Sequence, residues 1–487
     1  MKTILDILNF YNINTRYDFD NETITDVFCR SDLCFVKSVF VAVRGAKFDG
    51  HDFILDAYTR GCRVFVVENS DNVPRDAFAI VVTDTRRALS ALASFVYDYP
   101  QRKLTVIGVT GTKGKSTVSA MIYKILNDSE KRAAIVGTLG FTMGDKTVKT
   151  QNSTPESDTL IRFMNEMVKN DIEFAVLEIS SQGIKQSRVA DVFFDACVMT
   201  NISFDHIGNG EHADFGEYKN YKKSVFSKAK IGIFNADDKC YSEFSSQCDG
   251  LSYGVKNDAE FNAENICNVK IGEKYGVSFN IEADSLYKIF VPMPGVFTVY
   301  NSLAAISACG VFGIPISKCA SSLKTFNING RFENVASFDG IDVIIDYAHN
   351  EDSLENALCA IRSFCDGRII CVFGAVGERS EIRRAGLGSA ADRYADICVI
   401  TADNPNFEDQ NLISESIASH ITHKPCALIN DRKDAIEYAI DIAKRGDVVL
   451  IAGKGHERYQ LINGQRHPFD EKDIVLQKIK HISKSKI

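Results

Sequence analysis

The sequence predicts an α/β protein of three domains, and three observations carry that prediction. Its 487 residues amount to about three ordinary domains. Short β-branched runs alternate with helical patterns along most of the chain, which favours mostly parallel sheets covered by helices. One run, Thr105-Val-Ile-Gly-Val-Thr110, breaks into a glycine-bearing turn and then enters a helix, the passage expected of a P-loop-type sheet.

Residues 1–101 hold apolar strands at 38–43 and 63–68 around a helical pattern at 51–61, a small α/β domain. Pro100 and the charged Gln101-Arg-Lys103 read as a linker. Residues 102–329 continue with strands at 105–110, 174–179, 195–200 and 231–235, which predict a parallel sheet. Between about 251 and 290 the period shortens to two, predicting an antiparallel insertion. Residues 330–487 carry strands at 343–346, 369–373, 397–401 and 448–452, a third and Rossmann-like α/β domain.

Composition narrows the function. Acidic residues outnumber basic ones 64 to 56, the net charge is -8 and no basic block occurs, so a nucleic-acid partner is not expected. The fourteen cysteines are scattered without a C-x-x-C pair or zinc-ligand spacing, as expected of reduced thiols in a cytoplasmic protein. Neither a signal peptide nor a membrane span is apparent, so no membrane partner is expected.

The turn Gly111-Thr-Lys-Gly-Lys-Ser-Thr117 is a variant phosphate cradle. Its amides and the following helix N-terminus would face phosphate oxygens; Lys115 would reach the terminal phosphates and a hydroxyl would hold Mg²⁺. The strand at 174–179 delivers Glu178 and Ser180 nearby if the two strands are neighbours. Glu178 then either holds Mg²⁺, directly or through water, or pairs with a lysine. Asp205-His206 ends the next strand, as a metal or phosphate contact or as a cap. In the last domain Asp346-Tyr-Ala-His349, Thr401-Ala-Asp-Asn-Pro405 and Ala452-Gly-Lys-Gly-His-Glu457 each follow an apolar run, so three polar strand ends converge on one crevice.

With these residues in place the chain resembles the Mur ligase family, the ATP-dependent amide-bond ligases of peptidoglycan precursor synthesis, in the branch that makes UDP-N-acetylmuramoyl tripeptides. The resemblance spans nearly the whole chain: Phe40-Val-Ala-Val-Arg-Gly45, Asp49-Gly-His51, the 111–117 turn, Ser153-Thr-Pro155, Glu178-Ile-Ser-Ser181, Thr200-Asn201, Asp205-His206, Tyr300-Asn301, Gly330-Arg331 and the three strand ends above. It implies ATP and Mg²⁺, with ATP on Gly111, Thr112, Lys113, Gly114, Lys115, Ser116 and Thr117. Asn301, Arg331 and Asp346 would serve the adenine, phosphate and ribose side. It implies metal ligands Ser116, Glu178, His206 and Lys222, the last as a carbamate. Lys115, Glu178, His206 and Lys222 are then the catalytic set. The UDP-muramoyl peptide would meet Ser31, Asn152, Ser153, Thr154, Ser180, Gln186 and Arg188. The incoming amino acid would meet Arg379, Asp403, Asn404, Gly453 and Glu457, with its type read at Asn406.

The implied reaction adds a third amino acid to UDP-N-acetylmuramoyl-L-alanyl-D-glutamate through an acyl phosphate, in a protein expected to be a monomer. Four departures stand out. Arg30-Ser31-Asp32 exchanges the charges of the family's Asp-Ser-Arg, Gln182 replaces a histidine, and the segment Asp205 to His212 is two residues longer than usual. Asn406 stands where branches adding meso-diaminopimelate carry an arginine, so L-lysine is expected, with Arg383 or Arg384 as substitutes that keep diaminopimelate open. A divergent ligase acting on another acidic acceptor, or a non-catalytic ATP-driven switch, are the alternatives.

Overall fold

The structure is a computed structural model that describes residues 2–13, 21–45, 48–204, 208, 211–271, 274–378 and 380–485. The chain divides into two compact units. One comprises Met1–Ala263, Ile281–Tyr287 and Tyr300–Ser322; the other comprises Glu264–Asn280, Lys288–Val299 and Leu323–Ile487.

Within the first unit, the four strands Asp26–Phe28, Ser38–Val41, Val64–Val67 and Phe78–Val81 pair in parallel in that order. One face, Val39, Val41, Val64, Val66 and Ile80, packs on Leu89 and Leu92 of the helix Thr85–Val96. That helix also packs against the helix Ser157–Lys169. The expected linker is instead a 3₁₀ turn, Pro100–Arg102, in which buried Gln101 donates to Ser94 Oγ at 2.9 Å and to the Asp191 carbonyl at 3.2 Å. Its charges suggested a loose joint, but two side-chain hydrogen bonds tie it down.

A nine-stranded sheet is the other main sheet of this unit. Thr105–Thr110 lies in parallel between Phe174–Glu178 and Phe194–Met199, so the neighbour relationship expected for Glu178 holds. Val106, Ile107 and Val109 are fully buried because helices cover both faces. Gly250–Gly254 pairs in parallel with Ala229–Asn235, so the antiparallel insertion begins later than expected. Ser252, Tyr253 and Gly254 are all buried, which a two-residue alternation does not describe. The antiparallel pair is Glu264–Ile271 with Lys274–Glu282, in a three-stranded sheet, and residues Glu264–Asn280 of it belong to the second unit.

The second unit is built on a six-stranded sheet ordered Glu333–Phe338, Ile341–Asp346, Val448–Ala452, Ile369–Phe373, Ile397–Ile400 and Cys426–Leu428. Every pairing except that of the first edge strand is parallel. Asp346 and Ala452 are register partners, so the carboxyl ends of the two strands open at one level. The fourteen cysteines are all unpaired. Among the described residues no helix is long and apolar enough to cross a membrane.

Candidate active site

The phosphate turn of the first unit is held open by its backbone and pinned by its neighbours. Gly111 has φ of +142°, and a Cβ there would sit 1.9 Å from Thr200 Oγ1. Gly114, at φ of +84°, precedes the helix Lys115–Asp128. Thr200 donates to the Lys113 carbonyl at 2.6 Å, and the Asn201 carboxamide brackets Lys113, accepting from its N–H and donating to its carbonyl, both at 2.9 Å. Thr112 shares a 2.8 Å hydrogen bond with Tyr218 OH.

Ser116 donates to Glu178 Oε2 at 2.9 Å, which brings together two of the four residues expected to hold a metal. Thr138 bonds both Glu178 oxygens, from its N–H at 2.9 Å and its hydroxyl at 3.1 Å. Glu178 is fully buried. That burial pushes its carboxyl above the ordinary value, against the pull of Thr138, Lys115 and Ser116. A buried carboxylate beside a hydroxyl at the end of a phosphate turn fits a divalent cation, whose charge would offset the desolvation. Lys115 Nζ bends back to the carbonyls of Gly111 and Thr112, at 2.9 and 2.8 Å. Lys222, buried on the helix Phe215–Ser224, reaches the same Gly111 oxygen at 2.7 Å. Among the described residues no cluster of three or more His, Cys, Asp or Glu forms a metal cage. His206 and Asp205 lie outside the described residues.

The residues expected to meet the UDP-muramoyl peptide are mostly drawn together beside Glu178. Thr154 Oγ1 donates to the Glu178 carbonyl at 2.8 Å and accepts from Ser180 N–H at 2.9 Å. Ser153 shares a hydrogen bond with Thr138 at 2.9 Å. Arg188 donates to the Thr154 carbonyl at 3.0 Å and to Gln186 at 2.6 Å, and pairs with Glu156 at 2.6 Å. Asn152 is exposed on the adjoining bend. Ser31 lies at the end of the four-stranded sheet, and the strand before it is tied to the helix Ser157–Lys169 by Cys29 N–H donating to Asp158 at 3.1 Å. The exchanged Arg30 and Asp32 form a bidentate ion pair, at 3.0 and 2.6 Å; half-exposed, it is worth about 0–1 kcal/mol. Asn301 flanks the phosphate turn: a Cβ on Gly114 would meet its Oδ1 at 2.5 Å.

In the second unit the three strand ends do form one crevice. A cavity of about 200 Å³ is lined by Tyr347, His349, Val376, Arg383, Asp403, Asn404, Gly453 and Glu457. Four of the residues expected to receive the amino acid, Asp403, Asn404, Gly453 and Glu457, are therefore together. Lys454, fully buried, orders them: its Nζ meets Asn404 Oδ1 at 2.9 Å, Glu457 at 3.1 Å and Asp403 at 3.5 Å. Asn404 in turn donates to Glu457 at 3.0 Å. Beneath the crevice, buried Arg432 donates to the carbonyls of Ala402 and Ala452 at 3.1 and 2.7 Å and to Glu471 at 2.7 Å, gripping both strand ends.

Asn406 is not among the lining residues. It has φ of +53°, its carboxamide bonds Glu378, and its backbone bridges to Ile462. Of the two substitutes, Arg384 is buried against Glu408 at 2.6 Å, whereas Arg383 faces the cavity. Arg379 lies outside the described residues. Arg331 stacks over the Tyr347 ring at 4.5 Å, and Asp346 accepts from the N–H groups of Phe332 and Ala348 at 2.7 and 2.8 Å. Sequence reasoning gave no part to Val376 or Arg432, and singled out neither Tyr347 nor Lys454 from its motif. Lys454, between two glycines after a buried strand, was the detectable one.

Comparison with known proteins agrees with this geometry. Residues 24–97 match the Mur ligase family catalytic domain, 109–309 the Mur ligase middle domain, and 330–455 the Mur ligase glutamate ligase domain. The UDP-N-acetylmuramoyl-L-alanyl-D-glutamate--2,6-diaminopimelate ligase of Clostridioides difficile (strain 630) is 37% identical over 448 residues, 90% of this chain and 91% of the relative. The ligase of the same name from Geobacillus thermodenitrificans is 36% identical over 460 residues, 91% and 92% of the two chains. A solved structure of a ligase so named superposes with a TM-score of 0.70 at 26% identity, covering 98% of this chain and 99% of that one. MurF ligase from Thermotoga maritima in complex with ADP shares the fold, with a TM-score of 0.65 at 20% identity over 95% and 98% of the two chains. The chain belongs to the Mur ligase family, whose members are ATP-dependent ligases that form amide bonds.

Proposed function

We propose that this ligase adds the third residue to UDP-N-acetylmuramoyl-L-alanyl-D-glutamate in peptidoglycan precursor synthesis, that the residue is meso-diaminopimelate, and that it works in the cytoplasm. The curated relatives at 36–37% identity are named for that addition. The observation that carries the reading is the cavity in which Asp403, Asn404, Gly453 and Glu457 meet Arg383. The two carboxylates suit an ammonium group, and the guanidinium suits a carboxylate. L-lysine, the expectation raised by Asn406, is the second reading, because no arginine stands at that position.

The residues suit the acyl-phosphate chemistry that the family resemblance implies. The D-glutamyl carboxylate attacks the γ-phosphate of ATP, giving an acyl phosphate and ADP; the amine then displaces phosphate. Lys115 and the turn amides offset charge on the transferred phosphoryl group. Ser116 and Glu178 would hold Mg²⁺, joined by His206 and a carbamylated Lys222. Bound there, the ion would neutralise phosphate oxygens. Ser31, Asn152, Ser153, Thr154, Ser180, Gln186 and Arg188 are assigned to the UDP-muramoyl peptide. Arg331 and Asp346 are assigned to the nucleotide with Asn301.

A panel of meso-diaminopimelate, L-lysine and L-ornithine, scored by phosphate release with the muramoyl dipeptide, tests the choice. Preference for diaminopimelate, lowered at least tenfold by Arg383→Met, is the expected result. Preference for lysine, converted toward diaminopimelate by Asn406→Arg, establishes the second reading instead.

A further inference from the structure

Before the incoming amino group can attack, it must lose a proton. The cavity of the second unit offers few acceptors. Glu457 and Asp403 are already engaged by Lys454, at 3.1 and 3.5 Å, and suit the docking of an ammonium group. Burial pushes the Tyr347 phenol up to about 12. Asp346 accepts two backbone N–H groups and does not line the cavity.

His349 differs from all of these. Its Nδ1 lies 2.8 Å from the Tyr347 carbonyl oxygen, which can only accept, so Nδ1 carries the hydrogen and Nε2 carries the lone pair. The ring lines the same cavity as Asp403, Asn404 and Glu457. We propose that His349 is the base that takes the proton from the incoming ammonium group, through Nε2. This rests on the reading of the cavity as the amino-acid site.

The surroundings favour that role. Burial, then Arg383 and Arg331, hold His349 below its ordinary value, against the Tyr347 hydrogen bond and Asp403. The ring is therefore neutral at pH 7 and free to accept. In the step itself His349 takes one ammonium proton, and the freed lone pair forms the C–N bond as the C–O bond to phosphate breaks. The second N–H proton leaves with the phosphate, and the imidazolium returns its proton to solvent.

The test separates the two half-reactions. His349→Asn keeps a donor for the Tyr347 carbonyl, and His349→Gln removes it; both are assayed with ATP and the muramoyl dipeptide. Acyl phosphate is trapped as hydroxamate by hydroxylamine, an amine already neutral at pH 7, and tripeptide is measured with saturating amino acid. The proposal expects near wild-type trapping by His349→Asn, with tripeptide formation down about 100-fold at pH 7 and recovering as pH rises toward 9. Equal loss of trapping and ligation overturns it, as does a ligation rate within threefold of wild type or a deficit that does not change with pH. Glu457→Gln distinguishes failure of the underlying reading: an unchanged amino-acid KM would show that the cavity is not the amino-acid site.

Discussion

Lys115 and Lys222 donate to one oxygen, the carbonyl of Gly111, at 2.9 and 2.7 Å. Two ammonium groups so placed repel one another, and Lys222 is buried. A carbamate on Lys222 would turn that repulsion into attraction and add a metal-binding anion. Enzyme prepared and assayed free of CO₂ is therefore expected to lose about tenfold in phosphate release, worth ~1.4 kcal/mol, and to regain it with bicarbonate. Activity indifferent to bicarbonate would speak against the modified lysine.

Gly111→Ala places a methyl group on Thr200 Oγ1 in a backbone conformation that disfavours side chains. The cost is expected to be about 1–3 kcal/mol of stability, read as a lower melting temperature, with a raised KM for ATP. The amino-acid KM, if the proposed assignment to residues of the other unit holds, should stay constant.

Burial raises the Glu178 carboxyl above its ordinary value of 4.5. Above pH 4.5, and up to that raised value, the folded chain keeps a proton that the unfolded chain has lost. Stability therefore falls as pH rises through this window. Asp158, Asp346 and Glu471, also raised by burial, contribute with the same sign. Glu178→Gln removes one contributor, so its melting temperature should fall less than wild type's between pH 5 and 8. Added Mg²⁺ should stabilise the wild type and not the variant, and phosphate release should drop about 10²–10³-fold. An equal Mg²⁺ response in both proteins would remove Glu178 from the metal site.

Arg432→Met leaves Glu471 buried without its cation and frees the carbonyls of Ala402 and Ala452. Denaturant unfolding should show a loss of about 3–5 kcal/mol. The double variant Arg432→Met, Glu471→Met should recover part of it, since an apolar pair replaces a buried ionic one.

Much of this was legible in the sequence, for identifiable reasons. The Ser116–Glu178 contact follows from two adjacent parallel strands ending at one level, and alternation of elements predicts such neighbours. The meeting of Asp403, Gly453 and Glu457 follows from parallel strands of the second sheet that open at one edge, with Ile369–Phe373 between the two that carry them. What the sequence hid depends on helix faces and local backbone. Arg383 and Arg384 are adjacent, yet the turn of their helix sends one to the cavity and the other to Glu408. Asn406 belongs to the expected motif but adopts a left-handed conformation and spends its carboxamide on Glu378. Arg432 comes from a helix start with no motif, and its grip on two carbonyls exists only once the strands are paired.

Phosphate release measured with every combination of ATP, the muramoyl dipeptide and the amino acid tests the central claim most directly. The account predicts sustained release only when all three are present, with one tripeptide formed per phosphate. Sustained release from ATP alone, at the same rate with or without the dipeptide and the amino acid, would contradict it.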